Sequence, residues 1–270
     1  MRLFDVHTHL DQYPLSEIPA ILDRAADVEV AGVIIAGTTV SSSLRCVELA
    51  QGDSRIFAGV GIHPMEVKVP MDESTYTIFK EMTNNPRVLA ISEVGLDRLE
   101  GAPEFAIQEQ VFRDYVRLAR EVNLPIIYHS RSAYPRMLEI LEEELAGEIG
   151  GVAHYFQGDL ETAKRCADLG FFISLARPLL RLPELQEVAR YLPLEHIVLE
   201  TDAYPQPFKR HRNNWTEPRH VAEVAETLAQ LKGLTLEEIK EQIGRNLVRM
   251  FGSRSADFKN VVARDNGMLS

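Results

Sequence analysis

Eight short apolar runs, separated by stretches of helical periodicity, constrain this chain more than any other feature. They are Leu3-Phe4-Asp5-Val6, Gly32-Val33-Ile34-Ile35, Phe57-Ala58-Gly59-Val60, Val88-Leu89-Ala90-Ile91, Pro125-Ile126-Ile127-Tyr128, Val152-Ala153-His154-Tyr155, Phe171-Phe172-Ile173-Ser174 and Ile197-Val198-Leu199-Glu200. Near-continuous apolar runs suit parallel strands covered on both faces, and parallel strands need crossover segments between them. Helical patterns fill those intervals. Ile107, Val111, Tyr115, Leu118 and Val122 form one stripe, with Glu109, Arg113, Asp114 and Arg117 off it and Pro103 placed in the first turn. Met137, Ile140, Leu141 and Leu145 form another, opposite the solvated acidic run Glu142-Glu143-Glu144. Thr235-Leu236-Glu237-Glu238 reads as a capping box ahead of Ile239, Ile243, Leu247 and Met250. Eight βα units in about 250 residues predict an α/β fold of the TIM (β/α)8 barrel type over residues 1–252. A doubly wound open sheet is the alternative. Residues 253–270 carry no periodicity and read as a C-terminal extension.

Composition narrows the function classes. With 45% hydrophobic and 26% charged residues, long disorder is excluded. Arginine and lysine number 29 against 40 acids, and the net charge of −11 opposes attraction to nucleic acid along the whole chain while leaving room for a local patch. Only Cys46 and Cys166 are present, which excludes a disulfide framework and a thiolate metal site. The longest apolar stretch, Val33 to Gly37, falls far short of the ~20 residues of a membrane span. Asp5 and His7 argue against a secretory leader. The expectation is a cytoplasmic protein without a membrane partner, a monomer or weak homo-oligomer.

Barrel active sites lie at the C-terminal ends of the strands, so polar residues there carry the argument. His7 and His9, two apart on one strand, share a face ~7 Å apart along the chain and suit a metal ion. Taken alone, they are equally a pair of surface histidines. Glu93, His129, His154 and Asp202 fall at the same ends of four further runs, giving six nitrogen or oxygen donors in all. A carboxylate following Leu89-Ala90-Ile91 needs a cation to offset its desolvation, and Glu93 has no neighbouring base in sequence. The donor set suits Zn, Mn, Ni or Mg.

Together, Asp5-Val6-His7-Thr8-His9, Gly61-Ile62-His63-Pro64, Glu93-Val94-Gly95-Leu96-Asp97, His129-Ser130-Arg131 and Leu199-Glu200-Thr201-Asp202 resemble TatD-type metal-dependent hydrolases, whose barrel belongs to the amidohydrolase-like superfamily. The resemblance runs from Met1 to about Gly252. It implies that His7, His9 and Asp202 serve one divalent ion, His129 and His154 a second, and Glu93 bridges the two. Some related barrels bridge through a modified lysine; Glu93 stands in the corresponding place. In a two-ion site the metals lie ~3.5–4 Å apart and clamp the attacking and leaving oxygens, with a metal-bound water as nucleophile. Asp202 is also placed to orient that water or take its proton.

The resemblance favours a substrate role for His63, which otherwise reads as a hydrogen-bonding rim residue. Arg131 reads as a clamp for phosphate or carboxylate, or as a salt bridge to a loop acid. Lys209-Arg210-His211-Arg212-Asn213-Asn214-Trp215 is the densest basic cluster, and loops after strands seven and eight often hold phosphate. Arg210 and Arg212 are therefore candidate substrate contacts, and Trp215 either stacks a base or plugs the rim. His196 and His220 have no convergent company and read as structural or exposed. The expected activity is that of a deoxyribonuclease acting on ends of single-stranded DNA with two divalent ions (Mg, Mn or Zn). Alternatives are a hydrolase of a small ester, lactone or amide, and a non-enzymatic, metal-stabilised binding module.

Overall fold

In a computed structural model describing residues 1–251, 254 and 256–263, all eight runs are strands of one sheet. The strands are β1 (Leu3–Thr8), β2 (Val30–Ala36), β3 (Ile56–Val60), β4 (Val88–Asp97), β5 (Ile126–Arg131), β6 (Gly151–Ala153), β7 (Phe171–Leu175) and β8 (Ile197–Leu199). Each pairs in parallel with the next in chain order. β8 returns to β1 through a single parallel bridge, Thr8 to Ala203. Two backbone hydrogen bonds flank it: Asp202 N–H to the His7 carbonyl at 3.0 Å and His9 N–H to the Ala203 carbonyl at 2.8 Å. The nearly closed ring of a TIM barrel results. A doubly wound sheet, whose strand order reverses, is ruled out.

The helices are α1 (Ile18–Ala26), α2 (Val40–Gly52), α3 (Glu73–Met82), α4 (Phe105–Val122), α5 (Tyr134–Glu143), α6 (Leu160–Asp168), α7 (Pro183–Tyr191), α8 (Val221–Lys232), α9 (Leu236–Phe251) and α10 (Ala256–Val262). The α4 stripe buries Val111, Tyr115 and Leu118 as its spacing requires, while Ile107 and Val122 stay half-buried. Its first residue is Phe105 with Glu104 as N-cap, so Pro103 precedes the helix instead of entering its first turn. Gln108 is the polar exception on the buried face. Its amide accepts from Asp97 N–H at 2.8 Å and donates to the Asp97 and Pro103 carbonyls at 3.1 and 2.8 Å, anchoring the end of β4. The capping box ahead of α9 forms, with Thr235 N–H donating to Glu238 at 2.8 Å and Glu238 N–H to the Thr235 hydroxyl at 3.3 Å.

β1 and β4 run past their apolar runs into the polar residues His7, Glu93 and Asp97. β4 can do so beside β5 because Gly95 has φ +144° and a Cβ there would sit 2.0 Å from the His129 carbonyl oxygen. The stretch left without an element from 253 onward contains α10. Its Phe258 is fully buried, edge-on to Phe4 (5.2 Å), Phe57 (5.4 Å) and Phe251 (5.4 Å), near the N-terminal ends of β1 and β3. A seven-residue helix is too short for periodicity to register, and burial of Phe258 and Val262 holds it in place. Residues 264–270 lie outside the described residues. Among the described residues no helix is long and apolar enough to cross a membrane.

Candidate metal centre

At the C-terminal end of the barrel, the donors scattered along the sequence converge on Glu93. Its two oxygens face different imidazoles. Oε2 lies 3.4 Å from both His7 Nε2 and His9 Nε2. Oε1 lies 3.0 Å from His129 Nδ1, 3.3 Å from His63 Nε2 and 3.5 Å from His154 Nε2. Asp202 Oδ1 is 3.4 Å from His9 Nε2. Three overlapping groups of donors are close enough to share an ion: His7, His9 and Glu93; His7, His154 and Asp202; His63, Glu93 and His129. Asp202 and Tyr155, beside His154, have φ of +52° and +44°, a conformation disfavoured for side chains with a Cβ.

The outward ring nitrogens decide what the inward ones can do. His9 Nδ1 donates to the Ala36 carbonyl at 3.2 Å, and His129 Nε2 donates to Asp97 Oδ2 at 2.8 Å. Each bond places the proton on the far nitrogen and leaves a lone pair pointing inward, as a metal ligand needs. His154 Nδ1 lies 2.9 Å from Glu200 Oε1, close but off the hydrogen-bonding direction. His7 Nδ1 is buried without a partner. His63 is the opposite case. Its Nδ1 accepts from Met65 N–H at 3.1 Å, so the neutral ring carries its proton on Nε2 and presents a donor to the cavity. Inward lone pairs on imidazoles around buried carboxylates fit divalent cations, and His63 stands outside that ligand set.

The electrostatics agree. Burial pushes the Glu93 carboxyl up, yet His63, His154 and His129 outweigh it and hold the group well below the usual carboxylate range. Burial pulls His129 down, but Asp97 and Glu93 prevail and raise it to about 9. His9 is raised too, its burial outweighed by Asp202 and Glu93. His154, dominated by burial, falls to about 4. Protons on His9 and His129 thus occupy the role a cation would take, and metal binding must release them. Beneath the ligands Asp5 is fully buried and pushed up by desolvation; it accepts from Thr201 N–H at 2.9 Å and from the Thr201 hydroxyl, tying β1 to the residues after β8.

A cavity of about 800 Å³ opens above these residues. His63 and Arg131 line it, Arg131 half-exposed with Nη1 4.0 Å from Asp97 Oδ2. Arg210, Arg212 and Trp215 do not line it. Arg212 pairs with Glu217 at 2.9 Å and Glu17 at 3.1 Å and lies 4.4 Å over the Trp215 ring; Trp215 is half-buried edge-on to Tyr13 at 6.1 Å. Both are absorbed into packing of the rim. Arg210 belongs to a neighbouring cavity together with His220, which sequence reading had set aside. Asp97, Glu200, Asp5, Gln108 and Arg177 are the residues behind or beside the candidate ligands that sequence pattern alone does not single out.

Glu217 is the hub of that rim, with a side chain 4% exposed between Arg24, Arg212 and Arg219. Burial raises its carboxyl, but the hydrogen bonds and charge of Arg24, with Arg212, bring it below the ordinary value. Glu217→Gln should cost about 2 kcal/mol, below the range for buried pairs because Arg24 is 39% exposed. Melting temperature should fall roughly 5 °C at pH 7. A group with a lowered folded pKa stabilises above its unfolded pKa and loses that contribution as pH falls through the folded one. The difference between the proteins should therefore shrink below about pH 4 in thermal melts.

Comparison with known proteins gives the same assignment. The sequence profile described as TatD related DNase matches residues 4–252. YabD of Bacillus subtilis strain 168, named a metal-dependent hydrolase, is 35% identical over 256 residues, covering 92% of this chain and 98% of its own. YcfH of Escherichia coli K12, similarly named, is 32% identical over 258 residues, covering 93% and 96%. The crystal structure of YjjV, a TatD homologue from E. coli K12, superposes with a TM-score of 0.83 at 27% identity, covering 93% of this chain and 98% of that one. The barrel, the convergent donors and these likenesses together establish that the chain belongs to the TatD family of metal-dependent hydrolases.

Proposed function

We propose that the chain hydrolyses phosphodiester bonds at the ends of single-stranded DNA with two divalent cations bridged by Glu93. The observation that carries the two-ion reading is the division of labour at Glu93: one oxygen faces His7 and His9, the other His129, His154 and the donor His63. Asp202 would complete the set of His7 and His9. When bound, such ions polarise the phosphoryl oxygens and make water a competent nucleophile near neutral pH. The protein's own groups do the rest. His63 Nε2–H donates to a non-bridging or leaving oxygen, and Arg131 and Arg177 at the wall of the cavity offset phosphate charge. Asp202 is kept below the usual carboxylate range by His9 and His154 despite its burial, so it is ionised at pH 7. Its Oδ1 faces His9, which leaves Oδ2 to take the proton of the attacking water. These local cations allow a chain of net charge −11 to engage a polyanion.

A second reading, hydrolysis of a small ester, lactone or amide, is favoured by one observation: about 800 Å³ lies within the range of small-molecule sites. A substrate panel separates the two, using labelled single- and double-stranded DNA, RNA and small phosphate and carboxylate esters, each with and without chelator after metal loading. Shortening of single-stranded DNA that stops with chelator is the expected result. Intact DNA alongside rapid, chelator-sensitive turnover of a small ester would replace the first reading by the second.

A further inference from the structure

We propose that the cavity lined by Arg177, Lys209, Arg210, Asn213, Asn214 and His220 is a second phosphate site, which receives the phosphodiester next to the scissile one in a nucleic-acid strand. It rests on the phosphodiesterase reading and extends it from a bond to a strand. The cavity measures about 510 Å³, and none of its lining residues is acidic, although acids outnumber bases in the chain as a whole. Arg177 also lines the metal cavity, so the two spaces meet at one guanidinium.

Among the described residues no carboxylate comes closer than 3.4 Å to the cations there. Arg177 makes only long contacts, 3.4 Å to Glu223 and 3.4 Å to the Thr216 hydroxyl, and its Nε is buried without a hydrogen-bond partner. Lys209 Nζ donates to the Asn214 carbonyl at 3.0 Å; burial and then the Arg177 charge lower its ammonium pKa, as expected for two cations held together. The Arg210 side chain is exposed and has no ion pair among the described residues. His220 accepts the Glu217 N–H at Nδ1 (2.8 Å), so its proton sits on Nε2, a donor. Such a set is satisfied by phosphate oxygens, which accept from several donors at once.

The same loop selects a nucleotide over a bare anion. Phe208, immediately before Lys209 in sequence, is 72% exposed, an aromatic face left in water on the loop that carries Lys209 and Arg210. Trp215, by contrast, is covered by Arg212. An exposed aromatic next to a basic groove is the usual means of holding single strands, since every base has a face to stack.

The test compares a thymidine dinucleoside monophosphate, with one phosphodiester, and the trinucleotide, with two, in the metal-loaded protein. Removing both loop cations, Lys209→Ala with Arg210→Ala, should lower the ratio of kcat/KM for trinucleotide over dinucleotide by about tenfold, with KM carrying the change. Binding of labelled oligo(dT) to chelator-treated protein, followed by anisotropy, should weaken about tenfold and lose about 1.4 units of salt slope, ~0.7 for each phosphate contact on a single strand. Melting temperature checks folding, and Phe208→Ala should weaken oligo(dT) binding without altering the salt slope. An unchanged ratio together with unchanged binding overturns the proposal. If the unsubstituted protein cleaves neither substrate, yet binds oligo(dT) through Lys209 and Arg210, the phosphodiesterase reading falls and the phosphate site stands.

Discussion

Replacing Glu93 by glutamine should lower kcat/KM about a thousandfold and strip the protein of divalent metal. The amide keeps the shape of the side chain and removes the charge at the centre of five imidazoles. Loss of one partner from a buried charged cluster costs about 3–5 kcal/mol, and each 1.36 kcal/mol is a factor of about ten in rate. Metal content by elemental analysis and turnover on the best substrate of the panel should fall together. A Glu93→Gln protein that retained its metal and most of its activity would leave the site without its proposed bridge.

The second large effect is expected behind the imidazoles. Asp97 accepts Leu99 N–H at Oδ1 (2.7 Å) and the His129 Nε2 proton at Oδ2. In Asp97→Asn the carbonyl oxygen stays with Leu99, and the amide N–H₂ is then turned toward His129. A donor facing Nε2 forces the imidazole proton onto Nδ1, the nitrogen that points at Glu93. His129 then cannot act as a ligand without breaking a hydrogen bond. Metal affinity measured by titration calorimetry should fall about 10- to 100-fold. The isosteric asparagine should do no better than Asp97→Ala, which leaves His129 free to choose its tautomer. Recovery of full affinity in Asp97→Asn would show that the carboxylate does not set the ring.

The contrast between Glu93 and Asp97 shows where sequence reading runs out. The eight strands were legible because apolar runs of parallel strands are local signals, and the candidate ligands because they cap those runs at equivalent positions. Glu93 stood out as an acid directly after a buried stretch. Asp97 and Glu200 stood inside the quoted motifs, yet nothing local distinguishes an acid that fixes a ring tautomer from one that meets solvent. That distinction depends on partners 32 and 46 residues away. The loop after β8 was legible only in part, for a related reason. Its charges and its single tryptophan were visible, but their division between packing and solvent was not, because Glu17, Arg24 and Tyr13 near the start of the chain capture Arg212, Glu217 and Trp215. α10 escaped notice because its stability is tertiary and resides in Phe258 and Val262, both fully buried.

The seam between β1 and β8 has a consequence for how the barrel and its chemistry depend on one another. Among the described residues its main-chain stitching lies near its upper end, at Thr8 and Ala203, and the residues flanking that stitch are His7, His9 and Asp202. An ion shared by these three would act as a rivet across the one joint that main-chain pairing leaves mostly undone. Metal loading would then lock the first strand to the last, so that the reagent needed for hydrolysis is also the fastener that shuts the ring.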